Sequence, residues 1–141
     1  MWPTVFDQHG TDRLAEWKKF RDKLETSNSP FNDVAEFWGQ APFVSNYLNP
    51  QKPETWPDPW HLILDAKLDD LAIALGMLYT IKLTTRFMET RCEIHTSLAE
   101  KEKNQRYVLL VEDKYVLNWS WSRVIYINDL ENFQIRLLFS K

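Results

Sequence analysis

Hydrophobic positions change period once along this chain, and the change divides it. In residues 11–26, Leu14, Trp17, Phe20 and Leu24 recur at helical spacing among charged residues. That pattern predicts an amphipathic helix capped by Thr11 or Asp12 and ended by Ser27-Asn28-Ser29-Pro30. A shorter helix is expected from Asn32 to about Trp38, with Val34, Phe37 and Trp38 inward and Gly39 as its stop. A further turn is expected after Pro42, within residues 41–48. Pro50, Pro53, Pro57 and Pro59 then crowd residues 49–60 and forbid regular helix or central strand there, so an extended wrap anchored by Trp56 and Trp60 is expected. Residues 65–83 carry the strongest helical signal, with Asp65 as cap and Asp69 and Asp70 in the early turns. Residues 71–79 are apolar on every side, which predicts an enclosed core helix with Gly76 admitting a close neighbour.

After Thr85 the period becomes two. Met88, Thr90, Cys92, Ile94 and Thr96 alternate with Glu89, Arg91, Glu93, His95 and Ser97, the pattern of a strand with one face inward. Residues 106–111 and 115–119 flank Glu112-Asp113-Lys114, which reads as a tight hairpin. Residues 124–127 and 133–139 read as a second hairpin, and five strands with short connections predict an antiparallel meander. The whole is expected to be one α+β domain over 1–141: helices and the proline–tryptophan wrap in 1–64, a core helix in 65–84, and an antiparallel sheet in 87–141.

A length of 141 residues and a hydrophobic fraction of 44% allow a proper core without disulfides or metals. A net charge of −3 gives no basic footprint for nucleic acid. Residues 71–79 are far shorter than the roughly 20 needed to cross a bilayer, so no membrane span is expected. The single Cys92 and the lack of a basic, apolar leader in residues 1–7 suggest a cytoplasmic protein. Seven Trp, five Tyr and eight Phe are an unusual share of so short a chain. They predict a ring-rich core, with some Trp left over as a contact surface.

Candidate chemistry is sparse. Cys92 and His95 invite a thiolate–imidazole dyad with Asp113 as third member, but three positions apart on a strand their side chains leave opposite faces. Cys92 is therefore expected to be buried and structural, and His95 to stand solvated beside Glu93. His9, His61 and His95 fall at no ligand spacing, so neither metal nor other cofactor is expected. Asp69-Asp70 suits a helix start and Glu112-Asp113 a solvated turn. Phosphate-cradling, hydrolase-elbow and zincin motifs are absent. The segment Trp56-Pro57-Asp58-Pro59-Trp60-His61 is either a clasp over the core or a recognition surface; Trp56, Trp60, His61, Trp119 and Trp121 are the candidate interaction residues.

Asp33-Val34-Ala35-Glu36-Phe37-Trp38, Trp56-Pro57-Asp58-Pro59-Trp60-His61-Leu62-Ile63 and Ala74-Leu75-Gly76-Met77-Leu78-Tyr79-Thr80 together resemble an uncharacterised family of contractile-tailed marine cyanophages. That resemblance implies a phage protein acting in the infected cell or in particle assembly. The chain also resembles the transglutaminase-like fold, with 65–83 as the helix, His95 as the histidine and Asp113 or Asn118 as the third position. The nucleophilic cysteine of that fold belongs at the helix start, where this sequence has Lys67-Leu68. The first expectation is thus a non-enzymatic interaction or assembly protein with a protein partner or self-association. The alternative is a divergent or inactive cysteine-hydrolase or transglutaminase-like domain.

Overall fold

The computed structural model describes residues 6, 8, 10–42, 47–65, 68–97, 106–120, 123–130 and 135–141. Helix α1, Thr11–Leu24, buries Trp17, Phe20 and Leu24, as its period requires. Gly10, at φ 55°, takes the N-cap position, so Thr11 and Asp12 already lie inside the helix. Helix α2, Pro30–Trp38, starts two residues earlier than its pattern suggested, because Pro30 occupies the first turn. It buries Val34, Ala35, Phe37 and Trp38.

The proline-rich stretch is less extended than expected. A 3-10 turn occupies Pro53–Thr55, and helix α3 runs over Pro59–Asp65. Asp58 caps α3: its Oδ1 accepts the His61 amide at 2.8 Å, and Pro59 sets the first helical φ. Asp65 therefore closes α3 instead of opening the core helix. That core helix, α4, is Asp70–Leu83, capped by Asp69, whose Oδ1 accepts the Ala72 amide at 2.8 Å. The expected turn after Pro42 falls largely on residues outside those described.

Helix α4 is enclosed on all sides, as its composition demands. Leu71, Ala72, Ala74, Leu75, Met77, Leu78 and Ile81 are all buried. Thr80 lies in the same core with no exposure, and its hydroxyl accepts both the Trp17 indole N–H at 3.1 Å and the Trp38 indole N–H at 2.9 Å. The hydroxyl in turn donates to the Gly76 carbonyl at 2.7 Å. Gly76 sits under the Trp38 ring, and a Cβ there would overlap the ring carbons.

Arg13 is a core residue that hydrophobic periodicity does not reveal. Its guanidinium donates to the carbonyls of Phe6, Gln8, Ile63 and Leu64 at 2.7–3.1 Å, tying the start of α1 to the end of α3. A cation at the carbonyl end of α3 also meets the negative pole of that helix.

The fold is α+β: N-terminal helices pack on a C-terminal five-stranded antiparallel sheet. The strands are β1 (Cys92–Ser97), β2 (Arg106–Val111), β3 (Tyr115–Ser120), β4 (Arg123–Tyr126) and β5 (Ile135–Ser140). Helix α4 lies over β2, with β1 and β3 beside it. The β2–β3 hairpin turns on Glu112 and Asp113, both at positive φ, with the Lys114 amide bonded to the Val111 carbonyl.

The strand order is β4-β3-β2-β1-β5, so the sheet is not the expected meander. Strand β5 pairs with β1, leaving β4 an edge. The reason lies on the sheet face away from α4. Ile127 and Leu130, from the connection between β4 and β5, and Ile135, which opens β5, pack there on Val108, Leu110 and Val116. Crossing that face buries apolar area that a direct β4–β5 hairpin would leave in water.

The first strand is also shorter than its alternation suggested. Thr85–Phe87 is a 3-10 turn and Met88 is exposed, while Cys92, Ile94 and Thr96 face inward.

Candidate functional site

Polar groups converge where the head of α4 meets β2 and β3. Asp70, the first residue of α4, directs its carboxylate at the sheet. Oδ2 accepts the Tyr107 backbone amide at 2.7 Å, and Oδ1 accepts the Asn118 side-chain amide at 3.1 Å. Asn118 Nδ2 also donates to the Tyr107 carbonyl at 2.8 Å. Arg106 stands 3.8 Å from Asp70 and donates to the carbonyls of Trp119 and Asn118. Burial pushes the Asp70 carboxyl above the usual aspartate range, and the Tyr107 amide, Arg106 and Asn118 offset this only in part.

Asn118 reaches Asp70 because its backbone is left-handed, at φ 65°, where the register of β3 against β4 shifts. Such a bulge re-aims a side chain, and asparagine tolerates this conformation better than most residues. Strained backbone beside a perturbed carboxyl is a combination that clusters at functional sites. The neighbouring Asp69 steadies the helix head from the other side, accepting the Tyr47 and Leu48 amides at 2.8 and 3.0 Å.

Of the residues singled out by sequence, Asp70 and Asn118 bring their side chains into this site. Cys92 has no exposure, and burial pushes its thiol up to about 12. Iodoacetamide at pH 8 is therefore expected to label native Cys92 roughly a thousandfold more slowly than the urea-unfolded chain, the ratio of their thiolate fractions. Labelling at equal rates would show that the thiol is open.

His95 is buried, contrary to the solvated position expected for it, because the β4–β5 connection covers that face of the sheet. Its Nε2 lies 3.3 Å from Glu93 Oε1, and its Nδ1 has no partner. Burial works against ionisation of Glu93, but hydrogen bonds from His95 and Arg91 outweigh it and hold the carboxyl below the ordinary glutamate range. Asp113 stays in the exposed turn and accepts from Arg91 at 3.0 Å.

The candidate interaction residues separate. Trp56 is half-buried, packs edge-on to Phe139 and donates to the Asn49 carbonyl, so it acts as a clasp. Trp119 is half-buried against the outer-face cluster. Trp60 is 44% exposed and His61 is exposed, with its Nδ1 2.8 Å from Asp58. Trp121 lies outside the described residues. From the sequence Asp70 reads as a helix-start residue in preference to half of an acid–base pair with Asp69, and neither Arg106 nor Tyr107 stands out. The usable signal was Asn118, a poor strand former inside a strand pattern.

No family model matches the chain, and no curated protein matches it in sequence. Among solved structures it is similar to LapG of Legionella pneumophila. The calcium-bound LapG gives a TM-score of 0.69 at 14% identity, covering 97% of this chain and 79% of that chain. The EGTA-treated LapG gives 0.68 at 15% identity, covering 93% and 75%. At such identity the likeness is one of fold.

That likeness corrects four expectations. The cyanophage resemblance gives way, because the matching structures are of a bacterial protein. Phage assembly and the infected-cell setting fall with it. The leaning toward a non-enzymatic protein does not stand against this likeness in fold. The cytoplasmic placement, which rested on cysteine count and the first residues, does not stand against it either.

Among the described residues no group of three or more His, Cys, Asp or Glu is placed to hold a metal ion. Nor, among those residues, is any helix long and apolar enough to cross a membrane.

Proposed function

We propose that this chain is a divergent cysteine-hydrolase-type, transglutaminase-like domain whose reaction centre is the Asp70 carboxyl instead of a thiolate. The observation that carries this reading is Asp70 itself: a largely buried carboxyl at the head of the core helix, gripped by Asn118 in a left-handed conformation. The fold supplies the setting, with a helix start aimed at two antiparallel strands. Leu68 stands at the helix start where a nucleophilic cysteine would be needed, and Cys92 is fully buried, so neither position offers a thiolate. Ionised Asp70 takes a proton from water as that water adds to an amide carbonyl, then returns it to the amide nitrogen as the C–N bond breaks and amine and carboxylic acid leave; Asn118 and the Tyr107 amide hold the carboxylate in place. The protein partner expected from the sequence is, on this reading, the substrate.

Fluorescently labelled casein is a suitable general probe. Turnover is expected to survive iodoacetamide and Cys92→Ser, and Asp70→Asn is expected to lower it about a hundredfold or more. The wild-type rate is expected to fall as pH drops through a midpoint above the ordinary aspartate range, because the base must be ionised. The effect on stability has the opposite sign. The folded chain keeps this proton to higher pH than the unfolded chain, so Asp70's contribution is largest at low pH and is lost as pH rises through the raised value. Absence of turnover in the wild type, or turnover abolished by the thiol reagent, overturns the reading.

A further inference from the structure

Helices α1 and α3 present a surface that does not involve the Asp70 site. Trp60 of α3 lies edge-on to buried Trp17 of α1, with ring centroids 5.8 Å apart, and keeps 44% of its own surface in solvent. Leu64, one helical turn on, is 38% exposed. The Arg21 guanidinium rests against both rings, 4.6 Å from the centroid of Trp17 and 5.5 Å from that of Trp60.

Arg21 lacks the partner its position would ordinarily supply. Glu25, one turn along α1, spends both carboxylate oxygens on the Thr85 and Arg86 amides at 2.9 and 2.8 Å. Asp22 pairs with Lys18 at 3.3 Å. The Arg21 Nε is buried with no acceptor, and among the described residues no carboxylate lies within ion-pair distance of the guanidinium. Burial holds this cation below the usual arginine range, against the opposing charge of Asp22. Two tryptophan rings fix a planar donor fork beside an exposed apolar strip, a geometry suited to a carboxylate followed by an apolar side chain.

We infer that the α1–α3 face is a docking site for an acidic peptide segment, with a partner carboxylate on Arg21 and an apolar side chain on Trp60 and Leu64. Charge selects the occupant: an unneutralised guanidinium on an aromatic platform favours an anion over a cation and gains most from a planar one. The nearby Asp58 carboxylate is turned to His61 and does not neutralise Arg21.

The test is an NMR titration of the intact protein with a blocked tetrapeptide of alternating leucine and glutamate, and with its lysine counterpart. The expected result is saturable movement of the Trp60 indole and Arg21 Nε resonances with the glutamate peptide alone. Arg21→Gln is expected to weaken binding about tenfold, the loss of one charge-assisted contact, and Arg21→Lys to recover only part of it. Equal response to both peptides, no movement of Trp60, or unchanged affinity in Arg21→Gln each overturns the inference. The comparison of the two peptides on the wild type decides the matter even if a variant fails to fold.

Discussion

Gly76→Ala is expected to destabilise the protein by about 3 kcal/mol, the upper part of the range for overpacking a core. The added Cβ would enter the space of the Trp38 ring, and the indole has nowhere to retreat. Its N–H is fixed to Thr80, and its ring meets Phe37 edge-on at 5.7 Å and Phe6 at 5.4 Å. Urea denaturation of the single variant measures the loss. Pairing it with Trp38→Leu, which removes the obstructing ring, is expected to give a double variant less damaged than the two single losses summed. Strict additivity would show that Gly76 and Trp38 do not oppose one another.

Thr80→Val is expected to cost a similar amount, about 3 kcal/mol. The change keeps the shape and removes the one oxygen that accepts both indole N–H groups. Each donor left buried and unpaired costs about 1–3 kcal/mol, and the hydroxyl's own bond to Gly76 is lost as well. Thr80→Ser retains the oxygen and is expected to lose only the methyl, about 1 kcal/mol. Unfolding midpoints for the pair separate polarity from packing. If Val and Ser fall together, the shared acceptor contributes little.

These two positions also indicate how far the sequence could be read. Helices α1 and α2 were legible because a buried face forces a period of 3.6, α4 because a long run apolar on every side must be enclosed, β1 because a half-buried strand forces a period of two, and β2 and β3 because Glu112-Asp113-Lys114 marks the turn between them. Helix α3 was hidden by its prolines, although Asp58-Pro59 is the cap-and-first-turn pairing that starts a helix. The place of β5 was not legible, since alternation tells which residues face inward and is silent on which neighbour a strand takes.

The candidate site was legible only in pieces. Asp70 and Asn118 are 48 positions apart, and nothing local says that a bulge in β3 turns one toward the other. Gly76 was read as a point of close approach. That Thr80 would serve two tryptophans required knowing that α1 and α2 cross the same stretch of α4.

The pairing of β1 with β5 bears on how the chain is made as well as on what it becomes. While the ribosome is still adding residues beyond β4, strand β1 has β2 on one side and an open row of amides and carbonyls on the other. Its inward Cys92 and Ile94 meanwhile lack the cover of Phe139. Closure waits for β5, the most distant partner in sequence, and contacts of that kind form late and slowly. A nascent chain stalled short of β5 is the species in which β1 can capture a strand from a neighbour, so the final strand guards the sheet against association as much as it completes it.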